Sequence, residues 1–319
     1  MSGTHTIGID LGGTNIKAGI CDADGRVRGR LSIDTQAAGG VDHVLNRMAK
    51  LIRDLIHETG VRPADVAGVG VGAPGPMSHA RGVIYGAPNL PGWVNIPLRD
   101  RFAKLVGFPV VLENDANAAA FGEFIAGAGR GFKSLAMLTL GTGIGGGLVL
   151  AGQLWRGGFD NAGELGHMIV VPGGRPCPCG QRGCFERYGS ANAVAERLAE
   201  ATAAGEPSAL AGRAGFDARD VLAAADAGDA LALRIWDETC YYLAIGIVNI
   251  QHVLNPELVV LAGGLINAGP RVLDPVQTHF HKSSWTIAPD EPKIALAKLG
   301  DDAGLIGAAM LADPDRRHV

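Results

Sequence analysis

The sequence predicts an α/β protein built from two related lobes around a cleft. Its 319 residues exceed the usual length of one domain, which favours two. Residues 7–14 (Ile-Gly-Ile-Asp-Leu-Gly-Gly-Thr) and 137–143 (Met-Leu-Thr-Leu-Gly-Thr-Gly) both have the pattern of a strand that enters a glycine and threonine turn. This similarity indicates an internal duplication of one α/β unit. Two such lobes would leave a cleft between them for a ligand.

The first part of the chain alternates between strand and helix patterns. Apolar runs predict strands over residues 6–10, 16–21, 27–33, 66–72 and 110–112. Apolar residues at helical spacing predict helices over 41–58, 99–106 and 116–126. Gly75-Pro76 ends the fourth strand, because proline cannot donate a hydrogen bond to a sheet.

The pattern restarts after residue 134. Strands are predicted over 135–140 and 148–150, helices within 191–254, a last strand over 258–261 and a final helix over 304–311. We therefore predict a small lobe, 1–115 together with the C-terminal helix at about 303–319. The predicted larger lobe, 116–302, contains a cysteine-rich loop and the helical region.

Composition and charge exclude several functional classes. The net charge of −4 and a pI near 6.1 give no basic field, so nucleic acid and membranes are not expected partners. Residues 134–155 carry no charge but contain six glycines, which disfavours a membrane helix. Residues 1–9 lack the pattern of a signal peptide, and we expect a soluble cytoplasmic protein.

The first glycine turn, Asp10-Leu-Gly-Gly-Thr-Asn15, predicts a phosphate-binding loop. Glycines let an anion approach backbone N–H groups, and Thr14 and Asn15 add side-chain donors. A carboxylate beside a phosphate suggests a Mg²⁺ ion that neutralises the phosphate charge. The alternative for this segment is a hairpin turn capped by Asp10.

The second glycine turn, residues 141–147, contains a G-x-G-x-x-G pattern. In dinucleotide-binding folds a helix follows these glycines directly, whereas the residues that follow here predict a strand. A nicotinamide site is therefore rejected, and the sequence has no Walker-type loop. Two strand-turn-strand loops, one in each lobe, fit a phosphate chain held across the cleft.

Asp115 lies where a strand meets a helix, in Glu113-Asn-Asp-Ala-Asn117. One interpretation is a helix cap, because Asp and Asn commonly cap alanine-rich helices. The other is catalytic. A carboxylate there can accept the proton of a substrate hydroxyl as its oxygen attacks phosphorus, while Asn114 orients a neighbouring hydroxyl.

A cluster of potential metal ligands follows: His167, Cys177, Cys179 and Cys184. Three thiols and one imidazole suit tetrahedral Zn²⁺ with every position filled, so the metal would be structural. The alternative is three reduced cysteines with unrelated roles. Glu164 and Glu186 flank the cluster as loop carboxylates or, if the loop overhangs the cleft, as acceptors for sugar hydroxyls.

Together these motifs resemble the ROK sugar kinases, a family with the actin-like ATPase fold. The resemblance covers essentially the whole chain, and within the family it is strongest to the bacterial glucokinases. It rests on Asp10-Leu-Gly-Gly-Thr-Asn15, Gly72-Ala-Pro-Gly-Pro76, Pro88-Asn89, Glu113-Asn-Asp115, Gly141-Thr-Gly143, Gly163-Glu-Leu-Gly-His167, Cys177-Pro-Cys-Gly-Gln-Arg-Gly-Cys-Phe-Glu186 and Ala262-Gly-Gly264.

The resemblance implies ATP-dependent phosphorylation of a hexose, at the 6-hydroxyl for a glucokinase. Asp115 would be the general base and Asn114 a sugar contact. The other implied sugar contacts are Gly75, Asn89, Glu164, His167 and Glu186. The implied contacts to phosphates, Mg²⁺ and adenosine are Asp10, Gly12, Gly13, Thr14, Asn15, Thr142, Gly143, Gly263 and Gly264. His167 would use one ring nitrogen for zinc and the other for a hydroxyl.

The family also implies alternatives. Its transcriptional repressors carry a helix-turn-helix domain ahead of the sugar-binding part, for which we expect no room before the strand at residue 6. A silent sugar sensor is disfavoured by the intact Asp10 and Asp115. Other kinases of the family act on N-acetylhexosamines or fructose, and polyphosphate is a possible donor. Most members form homodimers or homotetramers, which is the expectation here.

Overall fold

The computed structural model describes residues 5–87, 89–285, 287 and 290–316. Parts of three predictions lie outside these residues. They are residues 1–4 of the segment predicted to lack a signal peptide, Pro88 of one ROK motif, and residues 317–319 at the end of the predicted small lobe. The described chain has the predicted α/β class. It divides into two compact units, one formed by 5–135, 147–163 and 298–316, the other by 136–146 and 164–297.

The strands and helices are numbered in chain order. The strands are β1 (His5–Leu11), β2 (Asn15–Asp22), β3 (Val27–Asp34), β4 (Val66–Ala73), β5 (Met77–Ser78), β6 (Val83–Gly86), β7 (Val94–Ile96), β8 (Val110–Asn114), β9 (Leu135–Leu140), β10 (Ile144–Leu150), β11 (Gln153–Leu154), β12 (Leu258–Ala262) and β13 (Lys293–Leu296). The helices are α1 (Gly40–Thr59), α2 (Leu98–Val106), α3 (Asp115–Ala126), α4 (Glu186–Gly189), α5 (Ala191–Ala203), α6 (Ala218–Asp226), α7 (Ala230–Leu254), α8 (Pro270–Ser283) and α9 (Ala303–Leu311).

The first unit is built on a five-stranded sheet with the order β3-β2-β1-β4-β8. The first three strands form an antiparallel meander, whereas β1, β4 and β8 run parallel. Asp10 pairs with Gly72, and Gly72 pairs with Glu113. Ligands of open parallel sheets bind outside the carboxyl ends of the strands. The register therefore brings the start of the first glycine turn and the Glu113-Asn-Asp115 motif to one such edge.

Helix α9 packs on this sheet and on α3 at very short range. A Cβ added to Gly70 of β4 would lie 1.8 Å from the Ala308 carbonyl oxygen, and one on Gly307 would lie 1.7 Å from the Ala118 carbonyl oxygen. Only glycine permits backbones to approach this closely. The C-terminal segment is thereby fixed to the first unit.

In the second unit the strands β10, β9, β12 and β13 lie side by side in that order. Past Gly147, β10 continues into the first unit, where its Val149 and Leu150 pair with β11. The long helix α7 supplies much of the second unit's core, and Phe185, fully buried, packs against Gly246 of this helix.

Most predicted elements are present, with four differences. The prediction that 258–261 is the last strand is wrong, because β13 follows it, and α8 and the small β5-β6-β7 sheet were not anticipated. The units also divide elsewhere than after residue 115: of the predicted larger lobe, residues 116–135, 147–163 and 298–302 belong with the first unit. The reason is physical, since α3 packs against α9 through Gly122 and Gly307. No helix among the described residues has both the length and the apolar character needed to cross a membrane.

Candidate active site and metal site

The first glycine turn is a tight loop at the carboxyl end of β1. Gly12 N donates to Asn15 O at 2.9 Å, which closes the turn. Buried Thr35 holds it from behind: its Oγ1 donates to Gly12 O at 2.7 Å and its N donates to Thr14 O at 2.7 Å. Thr14 and Asn15 are exposed, so their donor groups are available to a ligand.

Asp10 stands at the base of this loop, and its surroundings are unfavourable for a bare negative charge. Burial raises the pKa of its carboxyl group, Lys17 opposes the rise, and the neighbouring Asp301 adds to it. The first turn of α9 is close, since a Cβ on Gly304 would lie 3.3 Å from Asp10 Cγ. A bound cation would stabilise the ionised carboxylate, and oxygen ligands are those that Mg²⁺ prefers. The residues present therefore fit a Mg²⁺ ion bound with a phosphate.

Asn114 and Asp115 occupy the junction of β8 and α3. Asn114 is the helix cap: its Oδ1 accepts from Ala116 N at 2.9 Å and from Asn117 N at 3.1 Å. The capping role that the sequence left open is thus filled by Asn114, which leaves its amide Nδ2 as the donor for a ligand. Asp115 is the first residue of α3 and half-buried, and its Oδ1 accepts from Ala116 N at 2.8 Å.

Glu113 is a supporting residue that the sequence did not predict. Its side chain is buried, with Oε1 accepting from Asn114 N at 3.1 Å and from Asn117 Nδ2 at 3.0 Å. Its Oε2 accepts from Arg156 Nε at 2.6 Å. Because a buried carboxylate is costly without such partners, this network fixes the backbone on which Asn114 and Asp115 sit. The only signal for this role in the sequence is that Glu113 is an acidic residue directly before Asn114 and Asp115.

Two further candidates, Gly75 and Asn89, also lie in the first unit. A Cβ on Gly13 would lie 2.7 Å from Asn89 Cβ, so Asn89 contacts the glycine turn. Gly75 has φ +93° and a Cβ there would lie 2.0 Å from Gly86 O, so the position requires glycine. Asn89 is therefore next to the turn, whereas Gly75 has a demonstrable conformational role.

In the second unit, residues 141–143 form the second glycine turn. Gly141 N donates to Gly143 O at 3.0 Å, and Gly141 O accepts from Ala191 N at 2.9 Å. Strand β10 follows directly, as predicted, in place of the helix that a dinucleotide site would need. Thr142 is exposed at the tip.

Two further contacts tie neighbouring candidates of this unit together. A Cβ on Gly143 would lie 2.5 Å from Glu186 Oε2, so Glu186 borders the turn. Gly263, with φ +87°, packs on the Leu140 backbone at the end of β9, and Gly264 beyond it has open space around it.

The predicted metal ligands converge. The ligand atoms of His167, Cys177, Cys179 and Cys184 all lie within 4.8 Å of one another. The distance between Cys179 Sγ and Cys184 Sγ is 3.6 Å, and that between Cys177 Sγ and His167 Nδ1 is 3.8 Å. Zinc–sulfur bonds of about 2.3 Å give a tetrahedron with edges of about 3.8 Å. The cluster therefore has the composition and spacing of a closed zinc site.

His167 presents its two ring nitrogens to different partners. Nδ1 faces the cysteines and lies 4.0 Å from Glu186 Oε1, whereas Nε2 lies 4.0 Å from Glu164 Oε2. Cys177 Sγ donates to Glu186 Oε1 at 3.0 Å, and desolvation together with this bond raises the pKa of the thiol. Metal binding would therefore release a proton. Both carboxylates therefore border the cluster through His167. Glu164 is exposed, and Glu186 is half-buried.

The candidates thus form one group in each unit. The first unit holds Asp10, Gly12, Gly13, Thr14, Asn15, Gly75, Asn89, Asn114 and Asp115. The second holds Thr142, Gly143, Glu164, His167, Cys177, Cys179, Cys184, Glu186, Gly263 and Gly264.

Comparison with known proteins gives consistent matches over the full chain. The model of the ROK family matches residues 6–314. The glucokinase of Halalkalibacterium halodurans is 38% identical over 316 residues, which are 98% of this chain and 96% of that protein. The ROK hexokinase structure from Thermus thermophilus has a TM-score of 0.84 and 35% identity, and covers 99% of this chain and 100% of its own.

A second solved structure carries ligands. The ROK family glucokinase from Streptomyces griseus, in complex with glucose and AMPPNP, has a TM-score of 0.77 and 35% identity. The match covers 96% of this chain and 98% of that one. The fold class predicted from the sequence is confirmed by these neighbours.

Proposed function

This chain belongs to the ROK family, and we therefore propose that it is an ATP-dependent hexose kinase that phosphorylates glucose at the 6-hydroxyl. Relatives named glucokinase match nearly its whole length, and one solved relative was crystallised with glucose and an ATP analogue. The main observation on this chain is the strand register, in which Asp10 pairs with Gly72 and Gly72 pairs with Glu113. This register supports the proposal that a phosphate-binding loop and a candidate base lie at the same edge of one sheet.

In the proposed reaction, Asp115 accepts the proton of the sugar 6-hydroxyl while that oxygen attacks the γ-phosphorus of ATP. The new oxygen–phosphorus bond forms as the bond to the leaving ADP oxygen breaks. Asn114 Nδ2 donates to a neighbouring sugar hydroxyl and fixes the nucleophile's direction, which raises the effective concentration of the reacting groups. Mg²⁺, bound with ATP and Asp10, would supply neutralisation of the phosphate charge.

The remaining candidates have proposed binding roles. Gly12, Gly13, Thr14 and Asn15 would bind phosphates through backbone N–H groups and side-chain donors, and Thr142 and Gly143 would do the same from the second turn. Gly263 and Gly264 would approach the adenosine. Gly75, Asn89, Glu164, His167 and Glu186 would contact sugar hydroxyls.

The cysteine cluster has a structural role in this proposal. Zinc held by His167, Cys177, Cys179 and Cys184 would order a loop that lacks a core of its own. His167 Nδ1 faces the thiols, so Nε2 is the nitrogen we assign to the sugar. Such a site requires reduced thiols, which supports the cytoplasm as the compartment. We propose a homodimer or homotetramer that acts on small molecules and binds neither nucleic acid nor membrane.

The decisive experiment is a coupled assay of ADP release with ATP and Mg²⁺ over hexoses and N-acetylhexosamines. We expect the highest kcat/KM for glucose, with ADP release dependent on the sugar. A preference for N-acetylmannosamine, N-acetylglucosamine or fructose would replace glucose as the substrate. If none of the sugars on the panel stimulates ADP release, the kinase proposal is contradicted. A parallel series with polyphosphate in place of ATP tests the donor.

A further inference from the structure

A cavity of about 380 Å³ in the first unit has no role in the proposed reaction. Its apolar wall includes Val110 and Leu112 of β8, the end strand of the sheet, with Phe121 of α3 and Met310 of α9. Its volume is within the range of small-molecule sites, and an apolar wall with a few polar groups is their usual lining.

Three guanidinium groups line this cavity: those of Arg99, Arg156 and Arg316. Their side chains are 33%, 23% and 31% exposed, so all three are partly withdrawn from solvent. His79 and Gln153 are the other polar residues of the lining, and His79 Nδ1 contacts Leu112 O at 2.9 Å. The three arginines come from distant parts of the sequence.

Each guanidinium has one carboxylate partner but keeps further donors. Arg156 Nε donates to Glu113, Arg99 Nε to Asp100 at 2.9 Å, and Arg316 Nε lies 3.5 Å from Asp313.

Backbone carbonyls take some of the remaining donors. Arg99 Nη1 donates to Ala80 O and Arg316 Nη2 to Ala23 O. Within the part of the chain that the structure describes, both Nη groups of Arg156, Nη2 of Arg99 and Nη1 of Arg316 have no hydrogen-bond partner. These groups are therefore available to a ligand.

The cavity is connected to the proposed catalytic residues through one carboxylate. Arg156 Nε donates to Glu113 Oε2, and Glu113 Oε1 accepts from Asn114 N. An anion that draws Arg156 toward the cavity would therefore alter the support of Asn114, the residue before Asp115. The path from the cavity to Asn114 therefore consists of two hydrogen bonds, one between Arg156 and Glu113 and one between Glu113 and Asn114.

We propose that this cavity binds a small phosphate monoester, and that the bound anion changes the protein's apparent affinity for its sugar; the second half of this inference rests on the proposed function. Planar guanidinium groups match phosphate oxygens with paired hydrogen bonds, which favours phosphate over a single carboxylate. The apolar wall holds the short carbon chain of the ester.

Calorimetric titration with 3-phosphoglycerate tests the binding half. We expect saturable binding to the wild-type protein and at least ~10-fold weaker binding to Arg99→Met and to Arg316→Met, with loss in the double variant. D-glycerate, which lacks the phosphate, should not bind measurably. Arg26→Met, which removes an exposed arginine of the same unit, is the matched control and should bind as wild type. Absence of binding to the wild type, or undiminished binding to the double variant, would overturn the proposal.

Steady-state kinetics test the coupling half. With 3-phosphoglycerate present, we expect the KM for glucose to change at least ~2-fold in the wild type and not in the double variant, whose activity without the anion should equal the wild type's. Binding without any change in KM would overturn the coupling. An absence of kinase activity without the anion would count against the proposed function instead, while the calorimetry would still decide whether the cavity binds the ester.

Discussion

Asp115 carries the proposed chemistry because it combines a carboxylate with a fixed backbone. The cap that a residue at this junction usually provides is supplied by Asn114, and Glu113 holds the junction from beneath. Asp115 Oδ1 shares the Ala116 N donor with Asn114 Oδ1. We propose that the Asp115 carboxylate also serves a ligand.

We predict that Asp115→Asn lowers kcat by at least ~10²-fold, since the amide cannot accept the hydroxyl proton. The KM values and the far-ultraviolet circular dichroism should stay close to those of the wild type. Asp54→Asn, at an exposed carboxylate of α1 paired with Lys50, is the matched control and should leave kcat unchanged. Near wild-type turnover of the Asp115 variant would remove the base assignment.

At the scale of single residues, the sequence indicated which residues are candidates for the site better than it indicated the structural role of each. Asp10, Asp115 and the four metal ligands were all proposed from local patterns, and the structure brings the metal ligands together. The role of Glu113 was missed, because its partner Arg156 is 43 residues away in sequence and no local pattern links them. The sequence also left open whether Asp115 is a helix cap or a catalytic residue, and did not predict that Asn114 provides the cap.

The cysteine-rich loop, residues 167–184, is the element for which we propose a stabilising metal. Cys177 and Cys184 are buried and Cys179 is exposed, and because the four ligand atoms lie within 4.8 Å of one another, a bound metal would tie the loop together. We predict about one zinc per chain in the purified protein and, for Cys179→Ser, a loss of that metal with a lower Tm.

Elemental analysis with thermal melts checks this prediction. Cys240→Ala is the matched control, because it removes a thiol of α7 that is not a ligand, and it should retain the metal. Wild-type protein that is active and free of zinc would contradict the assignment.

Packing of α9 on the sheet gives a second prediction at this scale. In Gly70→Ala the new methyl group meets the Ala308 carbonyl, which is backbone and cannot rotate away. We expect a loss of about 3 kcal/mol in the free energy of unfolding, at the upper end of overpacking effects. Denaturant titration measures it, and Gly158→Ala, at a glycine with open space around it, should cost less than ~1 kcal/mol. Equal stabilities of the two variants would exclude close approach as the reason for this glycine.

Elements with long apolar runs were predicted to within a few residues, and shorter or more polar ones were not. Strand β13 has four residues and begins with an exposed lysine, so it lacks the periodicity that marks a strand. Helix α8 begins at Pro270 and contains Pro275 within it. The internal proline masks its helical pattern. Both elements are specified by their tertiary neighbours more than by their own residues.

At the scale of the whole molecule, the first unit is assembled from three separate stretches of chain, 5–135, 147–163 and 298–316. The sequence predicted that the C-terminal helix joins the first lobe. It could not show what fixes the returning chain, because those contacts join residues 175 or more positions apart.

Glu123 provides one of these contacts. It is fully buried at the end of α3. Its Oε1 accepts from Lys298 N at 2.9 Å and from Leu299 N at 2.7 Å, and its Oε2 accepts from Ala128 N at 2.8 Å. One carboxylate thus satisfies three backbone donors where the chain re-enters the unit. A buried polar group is costly without hydrogen-bond partners, and these three bonds offset the cost of burying the side chain.

We therefore predict that Glu123→Ala lowers the free energy of unfolding by about 3 kcal/mol or more, because it leaves buried N–H groups without partners. The stability of Glu123→Gln should fall between those of the wild type and Glu123→Ala, since the amide oxygen still accepts while the amide NH2 group faces a backbone N–H donor. Hydrogen exchange followed by mass spectrometry should show faster exchange at Lys298 and Leu299 in both variants. Glu58→Gln, at an exposed position of α1, is the matched control and should change neither quantity. If exchange at 298 and 299 were unaffected while global stability fell, Glu123 would act only through the packing of α3, and the returning segment would be fixed by α9 alone.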